Sequence, residues 1–158
     1  MKPVSVKEIK DELETRSPKE LRELCLRLSR FKKENKELMT YILFESADEE
    51  AYVERVKIEL EEQFAQVNRK TYYFIKKGVR KVLKNTKKYI RYSQSKKSEI
   101  DLLIWYCQQL RSFKPSIEKN TALKNLYLRQ VDEIVVKLKS LHEDLHYDYL
   151  QEIDALRI

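Results

Sequence analysis

Glycine and proline are scarce in this sequence, with one glycine and three prolines among 158 residues. Sandwiches and barrels need many tight turns built from these two residue types, so the scarcity argues against both classes. No apolar run approaches the roughly 18 residues that a membrane-spanning helix requires. The N-terminus passes directly into charged residues, without the apolar stretch of a signal peptide. We therefore expect a cytoplasmic protein without integral membrane association.

Few residues offer catalytic or redox chemistry. The chain has two histidines and two cysteines, and it lacks a glycine-rich phosphate loop and a GxSxG nucleophile elbow. Cys25 and Cys107 stand among apolar residues at helical spacing. We interpret both as small buried hydrophobic residues of a protein from a reducing compartment. We therefore predict a protein that is not an enzyme and needs no cofactor.

The abundant residues favour helices. Charged residues make up 37% of the chain and apolar residues 42%, and Glu, Lys, Leu and Arg keep most of their side-chain freedom in a helix. The length fits a single domain over residues 1–158. Short links place successive helices antiparallel, so we predict an all-α fold of six to seven helices arranged as successive hairpins. A compact bundle and a short, irregular α-solenoid of the HEAT type both satisfy this pattern.

Local patterns predict helix starts and one long helix. A hydroxyl residue followed three positions later by an acid forms the capping box that begins many helices. Four segments have this pattern, and they begin at Ser5, Ser17, Ser46 and Ser98. Apolar residues recur every three or four positions over residues 123–145, which predicts one long packing helix there.

One segment accounts for the net positive charge of the chain. Residues 63–98 contain twelve Lys and Arg residues and no Asp or Glu. The other 21 bases and 26 acids give the rest of the chain a charge of −5, so this +12 segment accounts for the net charge of +7. Such a separation of charge creates a substantial electrostatic potential at the surface.

The spacing in this segment predicts a helix with a basic side opposite an apolar side. At about 100° per residue, the apolar side consists of Tyr72, Ile75, Val79, Val82, Leu83, Thr86 and Ile90. Eight bases fall within an arc of roughly 140° on the other side, along about 22 Å of helix, with one aromatic ring among them. These predicted partner-binding residues, here called the basic face, are Lys76, Lys77, Arg80, Lys81, Lys84, Lys87, Lys88, Arg91 and Tyr73. Gly78 interrupts the helix and predicts close packing or a slight bend.

Three interpretations fit the basic face. Like charges at i,i+3 and i,i+4 repel each other by a few tenths of a kcal/mol per pair, and an acidic protein, a nucleic acid or anionic lipid would relieve that repulsion. The first interpretation is a non-enzymatic helical interaction module that binds an acidic partner through residues 76–91. The second is an accessory nucleic-acid-binding protein with weak sequence preference. The third is a solvated face neutralised by acids of the same chain, at residues 48–50 and 59–62.

Residues 142–146, His-Glu-Asp-Leu-His, resemble the HExxH motif of zincin metallopeptidases. In that family two imidazoles one helical turn apart bind zinc, and the glutamate activates the metal-bound water. The resemblance implies a metal-dependent hydrolase with His142 and His146 as candidate ligands. The match departs from the family because charged residues surround it and only twelve residues follow that could supply a third ligand. We interpret it as coincidental and predict no metal site.

Three features follow one another along the chain. They are the run Ser17, Pro18, Lys19, Glu20 and Leu21, the basic middle helix, and the aromatic and acidic residues within 142–152. In this order they resemble an uncharacterised bacterial family of all-helical proteins, classed as a domain of unknown function. The resemblance implies an all-α, repeat-like fold and carries no activity with it.

Overall fold

Helices account for most of the chain in the computed structural model, which describes residues 1–157. Over these residues there are eight α-helices and no strand. The helices are α1 (Val6–Glu14), α2 (Pro18–Phe31), α3 (Lys33–Thr40), α4 (Glu49–Ala65), α5 (Tyr72–Ser93), α6 (Lys96–Ser112), α7 (Thr121–Leu138) and α8 (His146–Leu156). The predicted all-α class is confirmed, and the number of helices exceeds the six to seven predicted.

The chain divides into two compact units, Met1–Phe44 and Glu45–Ile158. The first unit contains α1, α2 and α3, and within it α2 packs against α3. The second unit contains α4 to α8. The single domain over residues 1–158 stays a prediction.

Helices α1 and α2 begin with the predicted capping boxes. The hydroxyls of Ser5 and Ser17 accept hydrogen bonds from the backbone amides of Glu8 and Glu20, both at 3.3 Å. Each glutamate in turn accepts a hydrogen bond from the backbone amide of its serine. Pro18 occupies the first turn of α2, where a missing amide hydrogen costs no helical hydrogen bond.

The two other predicted helix starts are wrong by two to three residues. Helix α4 begins after Asp48, whose carboxylate accepts a hydrogen bond from the Ala51 amide at 3.0 Å. Helix α6 begins after Ser95, whose hydroxyl accepts one from the Ser98 amide at 3.2 Å. Each predicted cap has a neighbour that caps a helix equally well, and the pattern alone does not choose between them. Ser98 is instead buried and donates to the Glu49 carboxylate at 2.7 Å.

The predicted long helix over residues 123–145 is also wrong. Helix α7 ends at Leu138, a short turn follows, and α8 begins at His146. The hydroxyl of Ser140 donates to the Lys137 carbonyl at 2.7 Å, a local hydrogen bond that competes with continuation of the helix. The apolar spacing continues across the break because α7 and α8 both pack against α6.

Helix α6 is the centre of the second unit. It packs against α4, α5, α7 and α8. Its buried apolar residues are Ile100, Leu102, Leu103, Ile104, Tyr106, Cys107 and Leu110. They point in several directions around the helix axis, as is typical of a helix surrounded by others.

The two cysteines differ in their surroundings. Cys107 is buried on α6, as predicted, and burial raises the pKa of its thiol to about 12. Cys25 is exposed on α2, so the prediction that it is buried is wrong. The reason is that α2, which the structure describes in full, contains no buried residue.

Candidate functional site

Helix α5 carries the basic face. It begins after Thr71, whose hydroxyl accepts a hydrogen bond from the Phe74 amide at 3.4 Å, and it ends at Gln94 in the left-handed conformation with φ 57°. The predicted apolar side is confirmed, since six of its seven residues are buried and Tyr72 is half-buried. Tyr89 is also buried on this helix. The basic face therefore points away from the core of the second unit.

Two buried tyrosines from neighbouring helices fix the rotation of α5. The Tyr106 hydroxyl donates to the Val79 carbonyl at 3.0 Å, and the Tyr52 hydroxyl donates to the Tyr89 carbonyl at 3.0 Å. Tyr106 is fully buried, and Tyr52 is 6% exposed. Because both hydrogen bonds are shielded from water, turning α5 about its axis would leave the buried hydroxyls of Tyr106 and Tyr52 without acceptors.

Gly78 lets the link between α4 and α5 approach the helix closely. A Cβ atom at Gly78 would lie 2.6 Å from Cγ1 of Val67, a buried residue of that link. The close packing predicted for this glycine is confirmed. Helix α5 continues through the position without interruption.

Most bases of the basic face are exposed and unpaired. Lys77, Arg80, Lys81, Lys84 and Arg91 are exposed, and Lys76 is half-buried. Within residues 1–157, none of these six bases takes part in a hydrogen bond, an ion pair or a ring contact. The acidic segments 48–50 and 59–62 therefore make no direct ion pair with any of the six.

Two bases of the basic face are engaged within the protein. The Nζ atom of Lys87 lies 2.7 Å from a carboxylate oxygen of Glu133 on α7. The Nζ atom of Lys88 lies over two aromatic rings, 4.6 Å from the Tyr89 centroid and 5.9 Å from the Tyr92 centroid. The nine predicted residues thus divide into six unpaired bases, two engaged bases and one tyrosine.

The five exposed bases among these six form a narrow strip. Lys77 and Arg91 are separated by about 21 Å along the axis, and the five exposed bases fall within an arc of about 100°. A carboxylate borders each side of the strip. Glu59 on α4 accepts a hydrogen bond from the Tyr89 hydroxyl, and Glu133 on α7 pairs with Lys87.

An exposed aromatic pair stands at the N-terminal end of the strip. Tyr73 is 66% exposed and Phe74 is 41% exposed, and their ring centroids lie 5.4 Å apart in an edge-to-face arrangement. Phe74 was not among the predicted site residues. Its position about 130° from the centre of the apolar stripe is the sequence signal that could have identified it as exposed.

The HExxH-like segment does not form one helix. His142 precedes a short 3-10 turn, Glu143–Leu145, and its Nδ1 atom accepts a hydrogen bond from the Asp144 amide at 3.4 Å. The Nε2 atom of His146, at the start of α8, lies 3.1 Å from the Leu141 carbonyl oxygen. Over residues 1–157 no group of three or more His, Cys, Asp or Glu side chains is arranged to hold a metal ion.

A cleft of about 650 Å³ lies among residues of α4, α6 and α8, and the sequence pattern did not indicate it. Several of its polar groups bond to one another. Asp101 accepts a hydrogen bond from the Tyr149 hydroxyl and forms an ion pair with Lys97 at 3.0 Å. Burial and the bond to Asp101 raise the pKa of Tyr149. The hydrogen bond between Asp101 on α6 and Tyr149 on α8 therefore holds these two helices together beside the cleft.

The described part of the chain is thus an all-helical protein with an exposed row of cations along one helix. Comparisons with protein-family models, curated proteins and solved structures found no match to this chain. The resemblance to an uncharacterised helical family stays a prediction. No helix within residues 1–157 is both long enough and apolar enough to cross a membrane.

Proposed function

We propose that this chain is a non-enzymatic helical interaction module and that its basic face binds an acidic protein surface. The observation that carries the proposal is the row of six bases on α5 that have no partner within the described residues. Lys77, Lys81 and Lys84 stand at i,i+4 and i,i+3 spacing, so they repel one another by a few tenths of a kcal/mol per pair. A carboxylate-bearing partner relieves this repulsion.

The shape of the strip favours an acidic protein element over a nucleic acid. Glu59 and Glu133 border the strip on its two sides. A wide polyanion would extend beyond the strip towards these carboxylates, whereas a single acidic helix can contact the strip alone. Glutamates at i,i+3 and i,i+4 on such a helix match the spacing of Lys77, Lys81 and Lys84.

The second candidate is an accessory nucleic-acid-binding protein, and the exposed ring of Tyr73 favours it. An aromatic ring that is 66% exposed at the end of a cationic strip can stack on a nucleobase. The same bases would then contact phosphates, and binding would weaken steeply with salt. The Tyr73→Ala variant separates the candidates, because stacking depends on the ring and binding of an acidic helix does not.

A matched pair of charge-reversal variants tests the proposal. The strip variant carries Lys77→Glu, Lys81→Glu and Lys84→Glu. The control variant carries Lys114→Glu, Lys119→Glu and Lys124→Glu, which are also exposed and change the net charge by the same amount. Both variants should keep the helical circular dichroism of the original chain.

The probes are a glutamate-rich helical peptide, a single-stranded RNA and a duplex DNA, each titrated at two salt concentrations. We expect the peptide to bind the original chain and the control variant, and the strip variant to lose that binding. Equal binding by both variants, or no binding at low salt, contradicts the proposal. Tighter binding of RNA that is lost in Tyr73→Ala assigns the strip to nucleic acid instead.

A further inference from the structure

The three helices of the first unit have amphipathic sequences but no buried residues. Helices α1, α2 and α3 are described in full, and none of their residues is buried. Among the large apolar residues, Val6 is 82% exposed, Leu28 is 59% exposed and Phe31 is 76% exposed. Single exposed apolar residues are common on proteins, whereas a contiguous set on adjacent helices marks an interaction surface.

Apart from Leu26, which is 45% exposed on the opposite side of α2, the exposed large apolar residues of α1 and α2 lie on one side of each helix. At about 100° per residue, Val6, Ile9 and Leu13 fall within an arc of about 60° on α1, and Leu24, Leu28 and Phe31 within an arc of about 60° on α2. A groove of about 540 Å³ separates the two helices. We call the following residues the N-terminal apolar face: Val4, Val6, Ile9, Leu13, Leu24, Leu28 and Phe31.

We propose that the N-terminal apolar face binds the same face of a second copy of this chain. The first argument is area. The seven side chains are between 39% and 82% exposed, so at roughly 200 Å² for a large side chain they offer on the order of 700 Å² per copy. A stable dimer of standard size buries roughly 800 Å² per partner. The face is therefore large enough to form most of such an interface.

The second argument is charge complementarity within the chain itself. Helix α1 contains four acids and two lysines and has a net charge of −2. Helix α2 contains four bases and two glutamates and has a net charge of +2. A two-fold axis pairs α1 of one copy with α2 of the other, and each contact then occurs twice. One sequence thus supplies both halves of a complementary interface.

Cys25 provides a built-in reporter of this interface. It is exposed on α2, one residue after Leu24, at the edge of the N-terminal apolar face. Cys107 is buried in the second unit and does not compete for a thiol reagent. Alkylation of the folded chain therefore measures access to Cys25, which falls as copies associate.

Sedimentation of the 158-residue chain over a wide concentration range tests the proposal. The test variant is Leu28→Glu, and the matched control is Ile58→Glu on α4. The two residues are 59% and 60% exposed, so neither substitution opens a core. We expect a doubled mass for the original chain and for Ile58→Glu, and dimer dissociation at least about tenfold easier for Leu28→Glu. Alkylation of Cys25 should slow in step with the dimer fraction.

Three results would overturn the proposal. The first is a single-copy mass at every concentration, and the second is an equal effect of Leu28→Glu and Ile58→Glu on association. The third is a monomer that adsorbs to vesicles of phosphatidylcholine and phosphatidylglycerol through Leu28, which assigns the face to a lipid surface. The proposal does not depend on the basic face, so the strip variant should dimerise like the original chain.

Discussion

Replacing Gly78 with alanine tests the contact that sets the distance between α5 and the preceding link. In an exposed helix interior, alanine is about 1 kcal/mol more favourable than glycine. Here the new Cβ atom would lie 2.6 Å from Cγ1 and 3.2 Å from Cβ of Val67. Val67 is β-branched and only 8% exposed, so its side chain cannot rotate away without losing packing elsewhere.

The two effects oppose each other, and the steric effect is the larger. Overpacking a fitted site costs about 1–3 kcal/mol, and the helix propensity of alanine returns about 1 kcal/mol. We expect Gly78→Ala to lower the free energy of unfolding by up to about 2 kcal/mol. Val67→Ala removes the methyl groups that the new Cβ meets. The double variant should therefore be more stable than the sum of the single effects predicts, by about 1–3 kcal/mol.

Urea unfolding followed by circular dichroism measures all four proteins of this cycle. The Val67→Ala chain serves as the control, because in that background Gly78→Ala meets open space and should stabilise. If Gly78→Ala stabilises the original chain by about 1 kcal/mol and shows no coupling to Val67→Ala, the two residues are not in contact. The contact between Gly78 and Val67 would then not set the distance between α5 and the link that precedes it.

Three further predictions concern buried groups of the second unit. Tyr106→Phe removes the donor to the Val79 carbonyl and should lower the free energy of unfolding in urea by about 1–2 kcal/mol. Gln130→Met should leave stability unchanged or raise it by about 1 kcal/mol in the same assay, because the buried Gln130 Oε1 atom has no hydrogen-bond partner in the described residues. Mass spectrometry after alkylation of the folded chain should show one modified thiol even at about pH 10, because the pKa of Cys107 is about 12. Urea should expose the second thiol, and two modified thiols without urea would contradict the burial of Cys107.

Helix α5 could be predicted from sequence because its two sides differ strongly. Apolar residues at helical spacing predicted its core side, and Ile75, Val79 and Val82 are buried. The same helical geometry predicted that the bases lie on the side opposite the apolar residues, since a helix that buries one side exposes the other. What the pattern could not predict is the pairing of each base. That depends on neighbouring helices, such as the one that brings Glu133 to Lys87.

Other parts of the fold could not be predicted because periodicity reports one apolar side and nothing more. Helix α6 buries Leu102 and Tyr106 as well as Ile100 and Leu103, which lie on another side of its axis, since helices surround it. The apolar residues of α2 also recur at helical spacing, yet Leu28 and Phe31 are exposed. An apolar stripe indicates that a helix has a surface suited to an apolar partner, and it does not indicate whether that partner belongs to the same chain.

The sequence likewise does not indicate whether the partner of a charged side belongs to the same chain, and this point bears on the function that we propose. Composition alone established a +12 segment on a chain whose remainder is −5, and it left open whether acids of the chain cover the bases. The answer depends on where the neighbouring helices touch α5. Glu59 and Glu133 reach α5 at its two borders, where they bond to Tyr89 and Lys87. An anionic partner would therefore meet the five exposed bases without displacing either of these contacts.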